Sequence, residues 1–306
     1  MKNIIFTGLF LSLVFLSYAQ ANIDSLQRLL DENLLSVERI DILNNLAWQL
    51  KRRNQDLSKH YAEEALELSE DSHYLQGIGE ATKALGFLQA YYGDSEECLS
   101  FCKRAIQSFR EVGNKKQIGS IFLLLGNLLK NKSKYIESIE KYYEGIRITD
   151  SCACVDLQAS IYMSIADVKI IQKDTTSARD NYRKSIRILE PSTYLDRLGV
   201  GYYKYATYLS AIGLPDSAFY YLKKSEAIYK ELDLKERLSN VYGAIGNIYL
   251  QKGQQNQAIS SFEESLELID TTNNKFALAT AYYQFGYSLF RGGNLHQSEY
   301  YLRKCI

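Results

Sequence analysis

Between Ser239 and Lys252, apolar side chains recur at Val241, Ile245, Ile248 and Tyr249, and between Gln257 and Ile269 they recur at Ala258, Phe262, Leu266 and Ile269. Spacings of three and four residues put such a set on one face of a helix. The pattern predicts two amphipathic helices with Lys252-Gly253-Gln254 as the stop between them. Glycine returns at the equivalent stop as Gly93, Gly213, Gly253 and Gly293, where the left-handed conformation that closes a helix costs glycine little. Each such segment reads as a helix-turn-helix hairpin.

The hairpins repeat. Ala65, Ala105, Gly145, Ser185, Ser225, Ser265 and Cys305 are each 40 residues apart. Leu46, Gly86, Gly126, Ala166, Ala206, Gly246 and Gly286 keep the same step, as do Ser58, Cys98, Ser138, Ala178, Ala218, Ala258 and Ser298. Three ladders that are small at nearly every rung, Leu46 excepted, have a packing explanation. Gly246 is expected to face Ala258 and Ser265 at the hairpin crossing, where a larger side chain would hold the backbones apart.

The segment Ile245-Gly246-Asn247-Ile248-Tyr249 with Ala258, Phe262 and Ser265 resembles the tetratricopeptide repeat, and Leu85-Gly86 with Cys98, Cys102 and Ala105 is a looser copy. So is Phe285-Gly286 with Leu289, Ser298, Leu302 and Cys305. The period departs from the usual length of about 34, and the closing proline of the family is missing, with Pro191 the nearest approximation. The additional residues are expected to lengthen both helices and the connecting loop. The resemblance implies an all-α fold, a right-handed superhelical α-solenoid in which each hairpin stacks on its neighbours and the first helices line the concave side. It assigns residues 22–38 to an N-terminal helix or cap and 39–306 to the solenoid. The repeats fall at about 39–78, 79–118, 119–158, 159–198, 199–238, 239–278 and an incomplete 279–306. With no polar helix after Arg303-Lys304-Cys305-Ile306, the last apolar face is expected to be covered by continuation of the chain or by self-association.

Charge narrows the function class. Lys plus Arg and Asp plus Glu both number 36, so no overall field attracts nucleic acid or an anionic membrane. The 25 tyrosines, against 12 Phe and one Trp, combine apolar area with a polar tip and suit a half-exposed interaction surface. At the start of the chain, Lys2 precedes an apolar run from Ile4 to Leu16 and the small-residue stretch Ser17-Tyr18-Ala19-Gln20-Ala21. That order reads as a cleavable signal peptide over residues 1–21, since the run is shorter than the roughly 20 apolar residues of a membrane span. The expected location is periplasmic or secreted, with no transmembrane segment after the signal.

Counting the family's groove positions onto the repeats collects Lys83, Phe87, Tyr91, Asn127, Lys130, Asn131, Asp167, Tyr203, Lys204, Asn247, Tyr283, Gln284, Tyr287 and Arg291. Amides that hydrogen-bond a peptide backbone and tyrosines that cover its side chains suit a protein or extended peptide as partner. The spaced Lys and Asn set with which some family members hold a C-terminal carboxylate is absent. Cys98 and Cys102 fall on packing positions of a second helix. Cys152 and Cys154 sit in a loop flanked by Asp150 and Asp156, where they form a disulfide, remain thiols or offer two soft ligands to a metal. No histidine lies near them to complete a metal site, and no cofactor signature is present. There is no phosphate loop, H-E-x-x-H or G-x-S-x-G, and His60, His73 and His296 are scattered. The expectation is a non-enzymatic binding scaffold outside the cytoplasm. The alternative is the extracytoplasmic sensor part of a bacterial histidine kinase or transcriptional regulator whose membrane and effector parts lie beyond this chain.

Overall fold

The computed structural model describes residues 23–30, 35–269 and 275–304. The signal assigned to residues 1–21 and the last rung, Cys305, lie outside the described residues. Fifteen helices occupy the described residues. The first four are α1 (Ile23–Leu30), α2 (Ser36–Leu50), α3 (Gln55–Asp71) and α4 (Leu75–Tyr92), followed by α5 (Ser95–Glu111), α6 (Lys115–Asn131), α7 (Tyr135–Thr149) and α8 (Val155–Ile171). Then come α9 (Thr175–Leu189), α10 (Leu195–Ala211), α11 (Pro215–Glu231) and α12 (Lys235–Gln251), and finally α13 (Gln255–Glu267), α14 (Lys275–Arg291) and α15 (Leu295–Arg303). No described helix is long and apolar enough to cross a membrane.

The chain divides into two compact units, one through Cys154 and one from Val155. The first holds α1 and the hairpins α2/α3, α4/α5 and α6/α7, and the second holds α8/α9, α10/α11, α12/α13 and α14/α15. Within each unit, successive first helices also touch one another. Each unit is therefore an α-solenoid, in which no hairpin could bury its apolar face alone. In the first unit α1 covers the end of the stack, with Leu26 fully buried against Ile42 and Leu46.

From Leu75 onward, first helices start at residues 75, 115, 155, 195, 235 and 275. They begin about four residues earlier than the frame expected from the ladders. The turn inside the last five hairpins is only three residues, 252–254 for example, so the long period resides in the helices and the internal loop is not extended. Gly253 closes α12 at φ +74°, with the Gln254 N–H donating to Tyr249 O at 2.8 Å, and Gly213 and Gly293 take the same conformation. Gly93 does not: its φ is −136°. At the same place in other turns, Ser133 and Lys173 adopt the left-handed conformation at φ +59° and +62°, which costs an L-residue roughly 1–2 kcal/mol.

The expected crossing needs correction. A Cβ on Gly246 would lie 2.3 Å from the Phe262 ring, and one on Gly126 would lie 2.3 Å from Tyr142. At these two rungs glycine makes room for an aromatic ring of its partner helix, whereas Gly86 meets Cys102 and Gly286 meets Leu302. In the first hairpin the sizes are exchanged, Leu46 in the glycine place and Ala62 in the ring place, both fully buried. The third ladder does meet the second, since Ser138 Oγ donates to Gly126 O and Ser298 Oγ to Gly286 O, both at 2.8 Å. Ser265 instead donates to Ser239 O at 2.7 Å. Serine fits these three places because a carbonyl of the partner helix satisfies its hydroxyl.

Candidate functional site

In the N-terminal unit, the groove positions are largely filled from within. Phe87 belongs to the core, 6% exposed, meeting Trp48 edge to face at 5.7 Å and stacking on Tyr91 at 4.5 Å. Lys83 pairs with Glu80, donates to Gln117 Oε1 at 2.9 Å and lies 4.4 Å from the Trp48 ring centre. Neither Lys83 nor Phe87 is an open lining residue, contrary to the sequence expectation. Trp48, outside the repeat pattern, provides the surface on which both are buried. On the same cluster, Lys51 lies 3.9 Å from the Trp48 ring centre, and burial followed by the charges of Arg52 and Lys83 pushes its pKa down to about 8. Asn127 accepts a hydrogen bond from Tyr142 Oη at 2.7 Å, Tyr91 and Asn131 are exposed, and Lys130 is half-buried.

Asp167 of the C-terminal unit repeats the Asn127 arrangement. It accepts from Tyr182 Oη at 2.7 Å and from Lys204 Nζ at 2.6 Å. Burial, then the Asp167 charge, pushes the Tyr182 hydroxyl well up, so it stays a donor at neutral pH. Asp167 and Lys204 therefore satisfy each other. Asn247, 40 residues after Thr207 and 120 after Asn127, holds the equivalent place, and Phe262, which stands where Tyr142 and Tyr182 stand, has no hydroxyl to offer it. The Asn247 amide is thereby left exposed.

Two recesses open on the first helices α10, α12 and α14. One, of about 450 Å³, is lined by Tyr203, Glu236, Asn240, Gly243, Thr280 and Gln284. The other, of about 530 Å³, is lined by Ser210, Gln251, Tyr287, Ser288 and Arg291. Both are lined by Thr207, Ala244 and Asn247, which makes them one trough. Ala244 keeps the floor on α12 low, the Phe285 ring fills the space beside Gly243, where a Cβ would lie 3.1 Å from it, and the walls offer neutral amides and hydroxyls. Volumes of this size fall within the range of ligand sites. Burial also pushes the pKa of Tyr203 up.

Of the expected positions in this unit, Tyr203, Asn247, Gln284, Tyr287 and Arg291 come together in the trough. Asp167 and Lys204 do not line it. Tyr283, 55% exposed, stacks on Tyr287 with ring centres 6.2 Å apart and lies beside the trough rather than on its lining. Glu236, Thr207 and Asn240 were missed. The late repeat frame starts after Glu236, whereas the equivalence of Thr207 with Asn127, Asp167 and Asn247 was readable from the step of 40.

Elsewhere, the Cys152 and Cys154 sulfurs are bonded to each other. Cys98 and Cys102 are free and buried, with sulfurs 4.0 Å apart. Among the described residues no group of three His, Cys, Asp or Glu side chains is arranged to hold a metal ion.

The family described as "Tetratricopeptide repeat" matches residues 239–271, the hairpin at the centre of the trough. No curated protein matches the chain in sequence. Among solved structures, the apo form of the quorum sensor NprR from B. thuringiensis is similar with a TM-score of 0.71 at 14% identity, over 99% of this chain and 85% of that one. The apo form of RapI is similar with a TM-score of 0.63 at 15% identity, over 87% and 96%. BtubC from P. vanneervenii gives 0.59 at 17% identity, over 76% and 92%. At these identities the likeness is one of fold.

Proposed function

We propose that this chain, an α-solenoid whose residues 239–271 match the tetratricopeptide-repeat family, is a non-enzymatic scaffold holding a protein or extended peptide in the trough of α10, α12 and α14. The observation that carries this reading is the joining of two recesses through Thr207, Ala244 and Asn247, where the Asn247 amide is exposed. An extended segment needs a site that hydrogen-bonds its backbone and covers its side chains, and Asn247, Gln284 and Tyr287 provide those groups. The sequence features of residues 1–21 support export, so the proposed place of action is the periplasm or the exterior. A sensor role is the second reading, favoured by the similarity in fold to a quorum sensor over 99% of the chain. Its effector would lie beyond this chain. Exposed Phe290 and Leu295, at 56% and 64%, give self-association a surface in the last hairpin.

The test is capture from the exported fraction of the source cell by the chain from Asn22 onward, with Asn247→Leu/Tyr287→Ala in parallel. A partner retained by the first and lost from the second, at unchanged helicity, supports the trough. A partner retained equally by both excludes it.

A further inference from the structure

The turn after α7 carries the Cys152–Cys154 disulfide, with a single residue between the two cysteines. A disulfide stabilises chiefly by restricting the unfolded chain, and the restriction grows with the length of loop it closes. This one closes almost no loop, so it adds little to stability. The conformation of the turn does not depend on it either. Ala153 is left-handed at φ +48°, and at steps of 40 residues His73, Gly113 and Asp233 are left-handed at +54°, +72° and +49°. Their flanking pairs are Ser72 and Tyr74, Val112 and Asn114, and Leu232 and Leu234. Backbone hydrogen bonds close those turns, the Tyr74 N–H donating to Ser69 O at 2.8 Å and the Leu234 N–H to Tyr229 O at 2.9 Å. The two cysteines also differ in access: Cys152 is half-buried between exposed Ser151 and Ala153, whereas Cys154 is 6% exposed. Lys115 Nζ donates to Ser151 Oγ at 2.9 Å, which sets a cation beside the turn in addition to the flanking carboxylates of Asp150 and Asp156.

We propose that the Cys152–Cys154 disulfide is a thiol-exchange site that oxidises a pair of cysteine thiols on another polypeptide, one pair per chain. One thiolate of that pair attacks Cys152 Sγ, the accessible sulfur, and the bond to Cys154 breaks with its electron pair leaving on Cys154 Sγ. The second thiolate of the pair then attacks the polypeptide's own sulfur in the mixed disulfide, and Cys152 leaves as a thiolate. The attacking pair ends as a disulfide, oxidised by two electrons, and the two protons it loses are taken up by Cys152 and Cys154. The Lys115 ammonium favours the thiolates as they leave. Because the turn holds its conformation without the bond, the chain keeps its fold when the site is reduced. The exchange is stoichiometric and takes place away from the trough, so it adds to the scaffold reading without depending on it.

The test uses the whole folded chain carrying Cys305→Ser, without denaturant. After incubation with the monothiol mercaptoethanol and a quench with N-ethylmaleimide, peptide mass spectrometry is expected to find mercaptoethanol on Cys152 and maleimide on Cys154, with Cys98 and Cys102 carrying neither. A reduced synthetic peptide with two cysteines, in excess, should be oxidised until one peptide per chain is consumed, and Cys152→Ser/Cys154→Ser should oxidise none. The reduced chain and the double variant should melt at the temperature of the oxidised chain. Mercaptoethanol found on Cys154, or a disulfide that opens only when the chain unfolds, would overturn the proposal. So would a melting temperature that falls by many degrees in both the reduced chain and the double variant, which marks a structural crosslink.

Discussion

A methyl group placed on Gly246 of α12 would lie 2.3 Å from the Phe262 ring of α13, closer than any carbon contact allows. Phe262 is fully buried and stacks on Phe285 at 4.4 Å, so the ring cannot retreat without disturbing the next hairpin. Gly246→Ala is expected to destabilise the protein by roughly 1–3 kcal/mol. Gly86→Ala should cost less, because there the nearest atom is Cys102 Sγ at 3.2 Å. Thermal melts of the two variants check the order, and a Gly246→Ala midpoint at or above that of Gly86→Ala contradicts it.

The turns supply an opposite pair of substitutions. Lys173 holds the left-handed conformation that Gly253 holds in the equivalent turn. Lys173→Gly is expected to be neutral or stabilising by up to about 1 kcal/mol, and Gly253→Ala to destabilise by about 1 kcal/mol. Chemical denaturation of the two variants decides this. Lys173→Gly losing as much stability as Gly253→Ala would refute the assignment of the turn.

Lys51 gives the stability a dependence on pH. Its pKa falls to about 8 in the folded chain, chiefly through burial against Trp48, from an ordinary value near 10.5. Between those values the unfolded chain binds the proton and the folded chain does not, so this residue's contribution to stability rises with pH across the window. The side chain keeps substantial solvent contact, so the effect is well below the full shift, on the order of 1 kcal/mol. Lys51→Met should therefore raise the melting temperature at pH 7, and its advantage over the wild type should shrink towards pH 9.5. An advantage that stays constant or grows with pH contradicts the sign.

Thiol chemistry separates the two cysteine pairs. Cys98 and Cys102 are buried to 0% and 1% exposure, whereas Cys152 and Cys154 are joined in the turn after α7. Without reductant, the native chain should give no alkylation at any of these four residues. After mild reduction, Cys152 should label before Cys98 and Cys102, which become reactive only on unfolding. Labelling of Cys98 in the native state would contradict its burial.

Most of the fold was legible because a 40-residue step in small residues has one economical explanation, stacked hairpins. The contact partners were less legible. A ladder gives a phase along one helix, but it does not say which rung of the partner helix it crosses, so the expectation that Gly246 faces Ala258 and Ser265 holds for the Ala258 ladder, while Phe262 occupies the space expected for Ser265. The groove was legible only in part for a related reason. Counting positions treats all repeats alike, whereas Trp48 buries Lys83 and Phe87 in one hairpin, and the absence of a hydroxyl on Phe262 exposes Asn247 in another. Those departures from the repeat decide where a ligand fits.

The central claim concerns which face of the repeats meets the partner, and hydroxyl-radical footprinting of four tyrosines tests it. Tyr287 in the trough, Tyr283 beside it, and Tyr143 and Tyr220 on second helices have nearly equal exposures of 50%, 55%, 47% and 56%, so their oxidation without partner should be comparable. With the captured partner bound, Tyr283 and Tyr287 are predicted to be protected severalfold while Tyr143 and Tyr220 are unchanged. Protection of Tyr220 with Tyr287 left reactive would place the partner on the second helices and contradict the account.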